Sequence, residues 1–202
     1  PFVAAAAPWR ALIAGVVAAM TLLTSRRGPG KRAARTLRKL AGALLDPGTY
    51  LQFHNVSFQS RQGVVLIDLV LVSPFGVFVV DCRDEAGEID GKAFDAEWPR
   101  TFRGVAATFP NPLRPNFERK LALGGLLGLD GDKLFSVVAF TDRAGFRRPM
   151  PDNVTRGKGL ADYVASRDTT LMSESDLAAV LARVGEATAM RPAAQVPAPG
   201  QA

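Results

Sequence analysis

Asp68 interrupts an otherwise apolar run, Val64-Val65-Leu66-Ile67-Asp68-Leu69-Val70-Leu71-Val72. After a Ser73-Pro74-Phe75-Gly76 turn, a second apolar run, Val77-Phe78-Val79-Val80, ends in Asp81-Cys82-Arg83. A buried carboxylate without a partner costs several kcal/mol, so such groups are normally paired, protonated or bound to a metal. Two carboxylates on adjacent strands of one hairpin, with a cation two residues past the second, can share one site. That combination suits a hard metal ion and a phosphate.

The surrounding sequence supplies elements to hold such a hairpin. From Lys31 the apolar positions Ala33, Ala34, Leu37, Leu40, Ala41, Leu44 and Leu45 recur at helical spacing, and Asp46-Pro47-Gly48 stops that helix. Tyr50 to Phe58 alternates loosely and predicts a strand. Gly87 to Lys92 predicts a tight turn into a short strand, and Trp98 to Thr108 a further short strand or a loop. Asn111-Pro112 is a strong helix start, with Asn as N-cap and Pro at the first helical position. That helix is expected to run to about Leu127. The unbroken apolar stretch Leu134 to Thr141 reads as a buried strand. A short helix follows over Leu160 to Ala165. A last helix is capped by Ser173 and striped by Leu177, Val180, Leu181 and Val184.

The chain has 202 residues and a formal charge of +6, which favours an anionic partner and says nothing of fold. A single cysteine, Cys82, excludes an intrachain disulfide and fits a reducing compartment. No acidic residue precedes Asp46, whereas seven basic residues lie between Arg26 and Lys39. Ala11 to Thr24 carries no charge. Extended back to Phe2 it reaches the roughly 20 residues needed to cross a bilayer. The basic cluster after it places the following domain in the cytoplasm by the positive-inside rule. The expectation is a single-pass anchor over 1–27 in the cytoplasmic membrane, a domain over 28–188, and a Pro/Ala-rich disordered tail over 189–202. A soluble helix buried in the domain is the alternative reading of the apolar segment. The chain opens on proline rather than methionine, so it is expected to begin inside a longer protein.

Several stretches carry a family resemblance. They are Phe53-His54-Asn55-Val56, the run from Ile67 to Asp81, Gly87 to Gly91, Trp98, Phe109-Pro110-Asn111-Pro112-Leu113-Arg114-Pro115-Asn116, and Ser136 to Phe140. Together they resemble the NERD (nuclease-related) domain, a branch of the PD-(D/E)XK nuclease superfamily. The resemblance implies an α/β fold with a restriction-endonuclease-like core, a central mixed sheet flanked by helices. It implies a site in which a helix glutamate, a strand aspartate and a Glu-x-Lys pair hold Mg²⁺ and activate water against a phosphodiester. Asp68 matches the aspartate, Asp81 stands at the glutamate position and Arg83 at the lysine position. Asp68 and Asp81 would be the metal ligands, with Arg83 beside them in the catalytic set.

This chain departs from the pattern. The helix glutamate is replaced by Lys31, a reversal of charge. Asp81 is one methylene short, and Arg83 keeps its charge but cannot give up a proton. Leu66, Leu69 and Pro115 stand where the family often has polar residues. The expected function is therefore nucleic-acid binding, or an interaction module in a membrane assembly, with a degenerate nuclease site. The alternatives are an active Mg²⁺-dependent endonuclease and a purely structural subunit of a membrane complex. Lys31, Arg32, Arg35 and Arg38 are the candidate DNA-phosphate contacts, with anionic headgroups as the competing partner. His54 reads as a structural strand histidine. Arg143, Arg147 and Arg148 read as a solvated basic loop.

Overall fold

The computed structural model describes residues 32–189. Their elements run in the order α1 (Arg32–Leu44), β1 (Leu51–Ser60), β2 (Gly63–Ser73), β3 (Gly76–Arg83), β4 (Gly87–Ile89), β5 (Glu97–Phe102) and β6 (Val105–Pro110). Then come α2 (Leu113–Leu127), a 3₁₀ turn (Gly131–Lys133), β7 (Leu134–Phe140), β8 (Ala144–Phe146), β9 (Val154–Arg156), α3 (Gly159–Ala165) and α4 (Glu174–Ala189).

Five strands form the central sheet in the order β1-β2-β3-β7-β9. The first three are antiparallel, and β7 and β9 join in parallel, so the sheet is mixed. Alternation along the strands gives it two apolar faces. Phe53, Val70, Val72, Val77 and Val79 pack against Leu123 and Leu127 of α2 and Leu177, Val180, Leu181 and Val184 of α4. Leu69, Leu71, Phe78, Val80, Val137 and Ala139 pack against Leu37, Ala41 and Leu45 of α1 and Leu160, Ala161 and Val164 of α3. Each fully buried side chain of this size contributes about 1.5–3 kcal/mol, which holds three layers together without a disulfide. The expected α/β architecture with a central mixed sheet between helices is present.

A smaller sheet, β6-β5-β4-β8, leans on the C-terminal ends of β3 and β7. Its core is Ile89, Trp98 and Phe109 against Val138 and Phe140 of β7. Asn111 ties its base down: Nδ2 donates to the carbonyls of Lys92, Ala93 and Asp95, while Oδ1 accepts the Leu113 N–H. Trp98 Nε1 donates to the Lys92 carbonyl at 2.9 Å. A Cβ on Gly91 would meet the Trp98 ring at 2.3 Å, so the ring's place requires glycine there.

The helix start at Asn111-Pro112 sits one residue later than expected, with Pro112 as N-cap. Asn111 still performs the cap, through its bond to the Leu113 N–H. Ser173 caps α4 reciprocally: its Oγ accepts from Asp176 N–H and its own N–H donates to Asp176 Oδ2. Trp98 to Thr108 holds a β-hairpin rather than one short strand or a loop. Its two-residue turn, Arg103-Gly104, has φ of 52° and 79°, the mirror-image geometry that matches strand twist. Arg-Gly lacks the Asn-Gly signature, which is why the turn was not legible. β8 and β9 were also not anticipated, each being only three residues long.

Among the described residues no helix is long and apolar enough to cross a membrane. The expected anchor over 1–27 lies outside the described residues, as does the tail from residue 190 onward. Ala189, expected to open that tail, is the last residue of α4.

Candidate nucleic-acid cleft

Asp81 and Arg83 lie on β3, two residues apart and so on one face, the face of Val77 and Val79 that meets α2. The β2–β3 ladder runs to the pair Leu69 and Val80. One step further along that register brings Asp68 toward Asp81, near enough for its charge to act on the Asp81 carboxyl. On its other side Asp68 faces Asn55 of β1, between the paired rows His54–Leu69 and Val56–Ile67.

That row is irregular. Phe53 and Val56 both face the first core cluster although they are three apart, and so do Ile67 and Val70. Strict alternation would put each pair on opposite faces. Asn55 absorbs the slip with φ of 54°, a conformation that Asn tolerates better than most residues. The aspartate in the apolar strand therefore stands at a break in the pleat, half-buried, rather than in the middle of the core.

Asp81 is buried, and guanidiniums face both of its oxygens. Oδ1 lies 3.4 Å from Nη1 of Arg119 on α2, and Oδ2 lies 3.7 Å from Nη1 of Arg83. Burial pushes its carboxyl above the usual aspartate range. Arg83 and Arg119 pull it back down, and the charges of Asp68 and Glu85 raise it again. Arg83 is held by two further residues. Its Nε donates to Glu85 Oε2 at 3.2 Å, its Nη2 to Glu85 Oε1, and its guanidinium sits 5.8 Å from the centroid of the Phe109 ring.

Among the described residues no three His, Cys, Asp or Glu side chains converge on one point. A hard divalent cation wants several oxygen donors. Here one carboxylate is ringed by arginines and Glu85 is engaged by Arg83. The donors present do not fit a resident Mg²⁺ ion. The same guanidinium group, Arg83, is the one that reaches the open cleft beside them.

Arg83 opens into a cleft of about 500 Å³ lined by Ala33, Cys82, Asp84, Glu85, Arg100, Thr108 and Phe109. Its walls are the first turn of α1, the end of β3 and the β5–β6 hairpin. Ala33 brings the start of α1 to the cleft. Lys31 itself lies outside the described residues, and nothing is described of the Arg32 side chain. Arg35 and Arg38 are exposed on α1, and Arg38 lies beside His54 rather than in the cleft. Of the basic quartet, the described side chains thus run along α1 and away from Asp81.

Three participants were not anticipated: Arg119, Arg100 and Phe109. Arg119 had a signal, since it follows the structural Asn116 by three residues and must share its helix face. Arg100 and Phe109 had none, because their hairpin was not recognised. Two of the three arginines in the basic loop, Arg143 and Arg148, are paired rather than simply solvated. Arg143 bridges Asp84 at 2.7 Å and Arg148 bridges Asp90 at 2.6 Å, fastening the chain that leaves Arg83. Cys82 points to the opposite face, against the α1–α3 cluster, as alternation predicts.

A family model described as the nuclease-related domain, NERD, matches residues 28–141. An uncharacterized protein of Bacillus anthracis is 28% identical over 99 residues, 48% of this chain and 46% of that relative. The chain therefore spans just under half the length of the curated relative it matches. No solved structure gives a significant match.

Proposed function

The chain belongs to the nuclease-related domain family, and on that premise we propose that it is a membrane-anchored, cytoplasm-facing protein that binds nucleic acid without cleaving it. The observation carrying this reading is the pair of guanidiniums on Asp81, Arg83 at 3.7 Å and Arg119 at 3.4 Å. In the restriction-endonuclease-like reading of the core, that carboxylate would hold the attacking site's cation. Here arginines engage that carboxylate and Glu85 beside it, so these oxygens are taken up by guanidiniums rather than left to hold a metal. Asp68, across the ladder, completes the relic of the acidic pair. Lys31, at the family's glutamate position, supports the same conclusion by charge. Arg35 and Arg38, exposed along α1, add basic charge to the surface of that helix.

Purified full chain, incubated with fluorescent single-stranded and plasmid DNA, tests this. Binding is expected at low salt, falling steeply as salt rises because each phosphate contact releases counterions. Arg100→Ala is expected to lower the salt slope by about 1. Plasmid is expected to stay intact with Mg²⁺ or Mn²⁺. Cleavage that Asp68→Ala abolishes would establish a working nuclease instead. No binding at low salt would leave a structural subunit as the surviving alternative.

A further inference from the structure

The β5–β6 hairpin projects beyond the cleft and carries an unusual surface. Of Glu97 to Pro110, only Trp98 and Phe109 are buried. Alternation puts Trp98, Arg100 and Phe102 on one face of β5. That face passes from core at Trp98, to cleft wall at Arg100, to solvent at Phe102, which is 40% exposed. Phe102 pairs with Val105 across the turn, itself 69% exposed. The guanidinium of Arg103 lies 5.2 Å from the centroid of the Phe102 ring. From Trp98 to Phe117 there is no acidic residue, whereas Arg100, Arg103 and Arg114 fall in that stretch.

An exposed flat ring with the Arg103 guanidinium beside it, on a strand face that leads through Arg100 to a cleft of mixed charge lined by Arg83, Arg100, Asp84 and Glu85, has a specific chemical complement. A nucleotide offers both a π-face and a negative charge, one for the ring and one for the arginines. The bases of a duplex are already stacked on one another, so only an unpaired strand can present a base to Phe102. A protein partner would call for a wide apolar patch, whereas the large apolar side chains exposed on this hairpin are Phe102 and Val105 alone, bordered by Thr101, Arg103 and Gly104.

We propose that this hairpin is a single-strand-binding finger: Phe102 stacks on a base while Arg100 and Arg103 hold the flanking phosphates and lead the strand toward Arg83. The proposal rests on the nucleic-acid reading above and narrows it to unpaired strands.

Fluorescence anisotropy of the full chain tests it, with a labelled single-stranded oligonucleotide and a duplex of the same length. Phe102→Ala is expected to weaken single-strand binding about tenfold, within the range for loss of one base–aromatic stack, and to leave duplex binding within about twofold. Phe102→Leu, which keeps apolar bulk without a flat ring, is expected to weaken the single strand likewise, and Phe102→Tyr to restore it. Thermal unfolding of each variant shows whether the fold is intact. Unchanged single-strand affinity in a folded Phe102→Ala, or in Phe102→Leu, overturns the finger and leaves the general reading standing. Equal weakening of single strand and duplex also overturns it, since stacking would then not be the cause. A wild-type chain that binds neither nucleic acid overturns both readings.

Discussion

Asp81 shows how far a single side chain can shift a site's chemistry. Two cations lie beside it, yet burial, with the charges of Asp68 and Glu85, outweighs them and the carboxyl sits above its ordinary range. At His54 the shift is large. Burial first, and the Arg38 charge second, lower its pKa from 6.5 to about 4. The folded protein thus holds His54 neutral where the unfolded chain would protonate it. The resulting stability is present above pH 6.5 and is lost as pH falls toward 4. The whole effect amounts to about 3 kcal/mol at most. Urea unfolding of wild type and His54→Gln at pH 7 and at pH 4.5 checks it. The wild type is expected to lose more stability between the two than the variant. Equal losses would mean that His54 stays in contact with water. The sequence supports a structural role for this residue; its partner on α1 depends on how the helix crosses the sheet.

At the scale of elements, the decisive contact is between α2 and the sheet. Asn116 is fully buried on that helix. Its Nδ2 lies 3.1 Å from the Val79 carbonyl, 2.9 Å from Ser136 Oγ and 2.9 Å from the Val137 carbonyl, so one amide docks α2 onto both β3 and β7. This fixes the height at which Arg119, one turn on, meets Asp81. Asn116→Ala removes a buried donor and strands its acceptors. A loss of about 1–3 kcal/mol in unfolding free energy is expected, together with a weaker hold of Arg119 on Asp81. Chemical denaturation measures the first; a stability within about 0.5 kcal/mol of wild type would show that the amide is not the dock. The Asn-Pro helix start and the Asn116 position were both legible as motif. Their partners were not, since the carbonyls that Asn116 and Asn111 serve lie 16 to 37 residues away in sequence.

For the whole molecule, charge and apolarity are segregated along the chain. The stretch before Asp46 has no acid, and an uncharged run precedes its basic cluster. If that run spans a bilayer, the full chain is expected in the membrane fraction after a high-salt wash and released only by detergent. Release by salt alone would mean that the basic residues hold it to headgroups and nothing crosses. The sequence by itself determined the alternating and unbroken apolar runs, hence the strands and helices, with the mixed sheet implied by the family resemblance, and it set Asp68 near Asp81, because a short turn at Ser73 to Gly76 leaves antiparallel strands one register. Gly76 secures that turn: its φ is 139°, and a Cβ there would strike the Phe135 ring. Only the tertiary structure decided what surrounds Asp81. Arg119 reaches it from a helix 38 residues on, and Arg100 and Phe109 reach the cleft from a hairpin folded back over the end of β3. Long-range packing brings such groups together, and no local period in the sequence records it.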